Sequence, residues 1–255
     1  MMDLVSNFEF FLLILVRISG FVYSAPFFSL KNVPMRVKSG ISIFIALLLL
    51  YTLPYTPVSY AGIIGYSILI VKEAIAGVVL GLFANIAYYI LAFVGQFTDM
   101  EIGFSMVSQL DPMTQMQTTI TSNLYGYLVL LMMMVTNLHH YFIKAIVDSF
   151  QIVGIGQVQL DPNLYKLMIE FVTNYLIIGF RIVLPIFVSI LLVNAVLGIL
   201  AKIAPQMNMF VIGMQLKVLV GLFILALIIE FIPSVADFIF NEMMYFLKSA
   251  IAYIS

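Results

Sequence analysis

Cysteine, tryptophan and charged residues are absent or scarce in this chain of 255 residues. The absence of cysteine excludes disulfide bonds, thiolate catalysis and cysteine ligation of metals. The absence of tryptophan means that any aromatic belt at a membrane surface must use its 14 tyrosines and 22 phenylalanines. Charged residues make up only 9% of the chain and the net charge is −1, which argues against nucleic acid as a partner.

Apolar residues dominate what remains. They account for 64% of the chain, against about 45–50% in soluble domains, and this indicates an integral membrane protein. Asp3 and Glu9 precede the first basic residue, Arg17, so the N-terminus lacks the basic region of a cleaved signal peptide. We therefore expect the first apolar segment to belong to the mature structure.

The apolar blocks predict an all-α, polytopic membrane-type protein in a single domain over residues 1–255. Breaks containing proline or glycine separate them. The predicted helices cover residues 5–29, 38–53, 61–101, 117–152, 163–203 and 209–232, followed by an amphipathic helix over 235–254. The last of these has a polar arc and an apolar remainder, so we expect it at a surface or as a docking helix against a partner.

Two of the predicted helices, 61–101 and 163–203, are too long for ordinary spans. A helix of some forty residues would be about 60 Å long, twice the roughly 30 Å of the hydrocarbon core. We expect them to kink, break or project beyond the bilayer. Pro185 is placed to kink the second, and Gly77 and Gly81 form a small-xxx-small pair that favours close packing of the first against another helix.

A polar break from Leu197 to Lys217, LGILAKIAPQMNMFVIGMQLK, separates two apolar runs. Pro205 ends a helix and frees carbonyl groups, and hydrocarbon would not tolerate the polar side chains around it without partners. Those side chains are Lys202, Gln206, Asn208 and Lys217. The break is therefore a boundary, a channel lining or a subunit contact. We expect a tight turn between helices that docks on other subunits.

Charged residues also lie inside the apolar runs, where a charge at the bilayer centre costs at least about 2.5 kcal/mol. They are Arg17, Lys72, Glu73, Glu170, Arg181 and Glu230. Each requires a partner, water or a position away from lipid. The sequence leaves three explanations open: ion pairs inside one bundle, contacts between subunits, or a relay of protons or ions.

No constellation of catalytic residues is apparent, so we predict that the chain is not an enzyme and uses no cofactor or metal. His139 and His140 are the only histidines, and neither has a carboxylate three or four residues away as zinc sites often do. No phosphate-binding or dinucleotide-binding glycine pattern is present. The weakest alternative is a membrane enzyme that uses the two histidines.

A loop rich in serine, glutamine, threonine and methionine, GFSMVSQLDPMTQMQ over 103–117, joins two strongly apolar helices. Irregular polar backbone at such a place is tolerated where it meets protein or water. Flexible methionine side chains can seal around different shapes, although they are also common fillers. Its candidate gating residues are Gly103, Phe104, Ser105, Met106, Gln109, Asp111, Pro112, Met113, Gln115 and Met116.

The chain resembles the FliR family of flagellar type III export proteins, because several of its residues match that family's pattern in the same order and at consistent spacing. The family is related to the SctT proteins of injectisomes. The strongest run is Asn194, Leu197-Gly198, Pro205-Gln206, Asn208, Phe210, Gly213 and Lys217. Further matches are Arg17, Phe21, Pro26, Pro34, Arg36, Glu73, Gly77, Gly81, Gly103, Asp111-Pro112, Arg181 and Pro185. Lys202 departs from the pattern, since arginine is expected there, and a lysine lacks the bidentate fork for a carboxylate.

The resemblance implies a subunit of the export gate in the bacterial inner membrane, at the base of the flagellar basal body. It implies a helical, pore-forming assembly with FliP-like and FliQ-like subunits, a FlhB-like export component and surrounding membrane lipid. Unfolded flagellar proteins would pass through, and the loop over 103–117 would correspond to the plug that closes the channel at rest.

Two alternatives remain open at this point. The first is an injectisome export-gate subunit of the same family. The second is a solute or ion transporter with a coupling site at Lys72, Glu73 and Arg181.

Overall fold

The computed structural model of this protein describes residues 2–26, 28, 33–104 and 119–255. Over these residues the secondary structure is helical, with no strand. The helices are α1 (Met2–Ser24), α2 (Met35–Thr52), α3 (Gly62–Ala84), α4 (Ile86–Ile102), α5 (Ile120–Val135), α6 (His139–Ile152), α7 (Leu164–Ile203), α8 (Met209–Ile229) and α9 (Ile232–Tyr253). The predicted all-α, membrane-type fold is confirmed.

Five of the described helices, α1, α2, α3, α7 and α8, are long and apolar enough to cross a membrane. A sixth span results if α5 and α6 are counted together as one broken span. Helix α7 runs through Pro185 as one α-helix of 40 residues, so it is the predicted over-long helix. The hydroxyl of Ser189 donates to the Pro185 carbonyl at 2.7 Å, one turn away.

The predicted over-long helix over 61–101 breaks into two helices, one of the outcomes expected from its length, but the position of the break was not predicted. Helix α3 ends at Ala84, and Asn85 leaves helical geometry at φ −89° and ψ 6° while its N–H bonds to the carbonyls of Gly81 and Leu82. The predicted helix over 117–152 is also interrupted, because Asn137 adopts a left-handed φ of 57° between α5 and α6. Neither interruption contains proline or glycine, so the pattern used to find breaks missed both.

The chain forms two compact units by its contacts. The first unit comprises Met1–Ala87, Thr136–Val172 and Ile239–Ser255. Within it α1 packs on α2 and on α3. Its aromatic core joins Phe83, Phe171 and Phe246, with ring centroids 5.2 to 6.0 Å apart. The part of α9 in this unit buries Met243, Phe246 and other apolar side chains, and exposes polar side chains such as Lys248.

The second unit comprises Tyr88–Val135 and Thr173–Phe238. Phe93 and Phe97 of α4 pack edge to face against Phe180 of α7, at 5.4 and 5.9 Å between ring centroids. Glycines allow closer approach elsewhere, since a Cβ at Gly221 of α8 would lie 2.6 Å from the Ile102 side chain of α4. This unit holds the polar break and both ends of the loop over 103–117.

Candidate functional site

Helices α1 and α3 of the first unit approach each other at three glycines. A Cβ at Gly77 would overlap the carbonyl oxygen of Arg17, and one at Gly81 would overlap the hydroxyl of Ser24. A Cβ at Gly20 of α1 would lie 2.9 Å from the Ala74 carbonyl oxygen. Since real side chains do not fit at such separations, the glycines set the distance between the two helices.

At this crossing Arg17 of α1 meets Glu73 of α3. The Nε and Nη2 atoms of Arg17 donate to the two carboxylate oxygens of Glu73 at 2.5 and 3.0 Å. Both side chains are completely buried. A forked guanidinium suits this two-point contact, which a lysine cannot make.

The same guanidinium also closes the C-terminal end of α6. Its Nη1 donates to the carbonyls of Ser149 and Val153 at 3.2 and 3.1 Å, and Nη2 donates to Gly154 at 3.4 Å. These carbonyls lie at the C-terminal end of the helix, where the partial negative charge attracts a cation. Those of Ser149 and Gly154 also accept from the backbone N–H groups of Val153 and Gln157. The Phe150 ring centroid lies 4.2 Å from the guanidinium carbon.

Glu73 completes the arrangement by accepting from the backbone N–H of Gly156 at 2.8 Å. Gly156 has a φ of 76°, which favours glycine, and a Cβ there would lie 2.8 Å from Val58. The Arg17–Glu73 pair thus joins α1, α3 and the segment after α6. Because every partner is part of the structure, the pair has the geometry of a structural ion pair inside one bundle.

The other intramembrane charges do not form such a pair. Within 4.0 Å, Arg17–Glu73 is the one ion pair among the described residues. Glu170 is exposed and accepts from the Tyr245 hydroxyl at 3.1 Å, and this contact raises the pKa of Tyr245. Arg181 and Glu230 are exposed, and Lys72 is half-buried. Glu73, one member of the predicted coupling site of a transporter, already accepts hydrogen bonds from Arg17 and from the Gly156 N–H.

A second buried polar contact, in the second unit, was not identified from the sequence. The Asp99 carboxylate of α4 accepts from the backbone N–H of Thr121 at 3.1 Å and from the Thr121 hydroxyl. It therefore caps the first turn of α5. The hydroxyl of Ser122 donates to the Ala92 carbonyl at 2.8 Å. The one feature of the sequence that could have indicated this contact is an aspartate, Asp99, inside an apolar helix.

This contact holds together the helices on either side of the loop over 103–117. Gly103 ends α4 with a φ of 100°, and its N–H donates to the Asp99 carbonyl at 3.1 Å. Phe104 follows in a turn and is half-buried. The remaining predicted gating residues lie outside the described residues: Ser105, Met106, Gln109, Asp111, Pro112, Met113, Gln115 and Met116.

The polar break lies between α7 and α8 as a short turn. Helix α7 ends at Ile203, the N–H of Met207 bonds to the Ala204 carbonyl at 3.1 Å, and α8 starts at Met209. The side-chain oxygen of Asn208 caps α8 by accepting from the Val211 N–H at 3.4 Å. The predicted residues of the turn region are all exposed: Lys202, Pro205, Gln206 and Asn208.

Beyond the turn, several matched residues line one cavity of about 250 Å³ in the second unit. Asn194 and Leu197 come from α7, and Gly213 and Lys217 come from α8. A Cβ at Gly213 would lie 3.2 Å from the Leu197 side chain. Glu101 and Gly103 of the α4 end border the same cavity. The structure thus brings the polar break and the start of the loop into one site.

The remaining predicted positions lie apart from these sites. Pro26 is buried in the turn after α1, and Pro34 precedes α2 and accepts from the Val37 N–H at 3.0 Å. Arg36 is exposed, as is Pro185 on α7. The rings of His139 and His140 lie 4.2 Å apart at the start of α6. In the described ranges no three histidine, aspartate or glutamate side chains are grouped to hold a metal.

Apolar spans, a buried interhelical ion pair and a polar turn between two apolar helices define an all-α membrane protein of the multi-helix type. Residues 8–243 match the family of bacterial export proteins, family 1, and the chain belongs to this family.

Relatives along nearly the whole chain are named flagellar biosynthetic protein FliR. The relative from Bacillus subtilis is 31% identical over 94% of each chain. The relative from Escherichia coli is 26% identical over 93% of this chain and 91% of its own. The relative from Buchnera aphidicola subsp. Schizaphis graminum is 30% identical over 87% of this chain and 84% of its own.

Proposed function

We propose that this protein is a subunit of the flagellar protein export gate in the bacterial inner membrane, at the base of the basal body. The observation that carries the proposal is the match to relatives named flagellar biosynthetic protein FliR over 94% of both chains. These names favour flagellar export over injectisome export, because all the relatives compared above carry the flagellar name.

The exposed apolar surface supports a role inside a larger assembly. In the most apolar stretch of each helix, only 17% of the residues of α8 and 22% of those of α2 are buried within the chain. Such helices require lipid or other protein around them. The partners proposed for them are FliP-like and FliQ-like subunits, with a FlhB-like component nearby and membrane lipid over the rest.

The role proposed is mechanical and involves no chemistry by this chain. Unfolded flagellar proteins pass through a path that the segment over 103–117 closes at rest. The described base of that segment supports this assignment, since the Asp99–Thr121 contact anchors its two ends. Neither Asp99 nor Thr121 would have to move for a loop between them to change its position.

Deletion of the gene in its own host tests the proposal. Flagellar proteins should disappear from the culture medium and swimming should stop, and a plasmid copy should restore both. A plasmid copy with Lys144→Gln, a substitution at an exposed position of α6 outside the matched residues, is the matched control and should restore both equally well. Continued secretion of flagellar proteins in the deletion strain would overturn the proposal.

A further inference from the structure

The cavity beside the polar break contains two opposite charges that do not contact each other. Lys217 of α8 and Glu101 of α4 both line it and both are half-buried. No ion pair within 4.0 Å joins either of them to another described residue. Asn194, whose side chain carries an amide, lines the same space of about 250 Å³. The site thus offers a cation, an anion and an amide to one occupant.

Lys217 needs an anionic partner more than a surface lysine does. It is the single charged residue in α8, from Met209 to Ile229, and its neighbours are apolar. A charge in such surroundings is retained when it is paired or hydrated. Glu101 lies in the last turn of α4, where the helix ends at Ile102 and leaves carbonyl groups that require polar surroundings. Both features place polar molecules, not hydrocarbon, at the cavity.

An apolar groove continues from the cavity along α8. Met214 borders both, and Val218, Leu219 and Leu222 extend the groove, whose volume is about 490 Å³. Leu219 is 66% exposed and Leu222 is 51% exposed, so the groove faces outward and the described residues do not fill it. A cavity with two opposite charges in its lining is therefore continuous, at Met214, with an open apolar groove along α8.

We propose that this site binds one phospholipid with a zwitterionic, primary-amine head group, of which phosphatidylethanolamine is the example. The lipid phosphate accepts from the Lys217 ammonium and the Asn194 amide, the lipid ammonium donates to the Glu101 carboxylate, and one acyl chain lies in the groove along α8. This inference does not depend on the proposed function, since it concerns only the isolated chain and lipid.

The charges distinguish this lipid from the other common kinds. An anionic head group such as phosphatidylglycerol has a partner in Lys217 but brings no cation to Glu101. Phosphatidylcholine is zwitterionic, but its quaternary ammonium has no N–H to donate to the carboxylate. Hydrogen bonds to charged groups are the stronger ones, so the primary amine should be preferred.

Native mass spectrometry of the purified full chain tests this inference. The protein is released from micelles containing equal amounts of phosphatidylethanolamine, phosphatidylcholine and phosphatidylglycerol with identical acyl chains, and the retained lipids are counted. We expect one phosphatidylethanolamine, retained about tenfold above the other two, which corresponds to about 1.4 kcal/mol. Soluble phosphoethanolamine should not displace it, because it has no acyl chain for the groove.

Three variants assign the binding to these residues. Lys217→Gln should lower retention of phosphatidylethanolamine about tenfold, whereas Lys217→Arg should keep it, which separates loss of charge from loss of folding. Glu101→Gln should remove the preference over phosphatidylglycerol. The matched control is Lys202→Gln, an exposed lysine in the last turn of α7, which should leave retention unchanged.

Equal retention of the three lipids, displacement by soluble phosphoethanolamine, or an equal loss in the Lys202→Gln control would overturn the inference.

Discussion

The buried ion pair between Arg17 and Glu73 gives the sharpest prediction, for the substitution Glu73→Gln. It replaces one oxygen with an amide NH₂ and removes the negative charge, leaving a completely buried guanidinium that still faces three carbonyl oxygens. Breaking a buried pair by removing one partner costs about 3–5 kcal/mol. The helix end of α6 partly compensates the cation, so we expect a loss near the lower value, about 3 kcal/mol of the free energy of unfolding.

Exchange of the two residues tests the geometry separately from the charge. Arg17→Glu with Glu73→Arg keeps an ion pair but turns a carboxylate toward the carbonyls of Ser149 and Val153. We therefore expect the exchanged protein to be no more stable than Glu73→Gln. An ordinary ion pair would be rescued by this exchange, because its energy depends only on the two partners.

Unfolding in mixed micelles, followed by far-ultraviolet circular dichroism, measures these free energies. Tryptophan fluorescence is not an option because the chain contains no tryptophan. Arg36→Gln is the matched control, since Arg36 is exposed, and surface changes of this kind usually stay within about 0.5 kcal/mol. A Glu73→Gln protein as stable as this control, or full rescue by the exchange, would refute the reasoning.

Three further predictions concern packing, capping and the loop. Gly77→Leu should push α1 away from α3 and lower the free energy of unfolding by about 3 kcal/mol or more. The control Gly40→Leu, with no atom near its Cβ position, should not lower it. Unfolding in micelles measures the free energy of both variants. Thr121→Val should remove one hydrogen bond to Asp99 and speed amide hydrogen exchange in the first turn of α5, and unchanged exchange would contradict the cap. Deleting residues 104–115 should make the assembled gate leak small solutes. A gate that assembles with the deletion and still does not leak would contradict the assignment of this loop as a plug.

Much of the fold followed from composition, because 64% apolar residues leave few alternatives to membrane helices. The breaks at Asn85 and Asn137 did not follow. The first is the single residue Asn85, and the second is the three-residue stretch 136–138 around Asn137. Local propensity does not distinguish either asparagine from an ordinary helical one. Such breaks depend on packing against distant parts of the chain, which a hydropathy pattern does not contain.

The charged and small residues of the site were visible in the sequence, but their partners were not. Arg17 and Glu73 lie 56 residues apart, so no local spacing joins them. The backbone acceptors of Ser149 and Val153 and the Gly156 donor are invisible to side-chain patterns altogether. The contact of Asp99 could not be predicted either, because its partner Thr121 lies 22 residues further along the chain, after a long polar loop.

The mass of the complex formed on co-expression with FliP-like and FliQ-like proteins from the same organism tests the central claim most directly. We expect an affinity tag on this chain to recover both partners in one detergent-stable particle of fixed mass. Recovery of a stable, folded monomer alone, with both partners present in the same membranes, would contradict it.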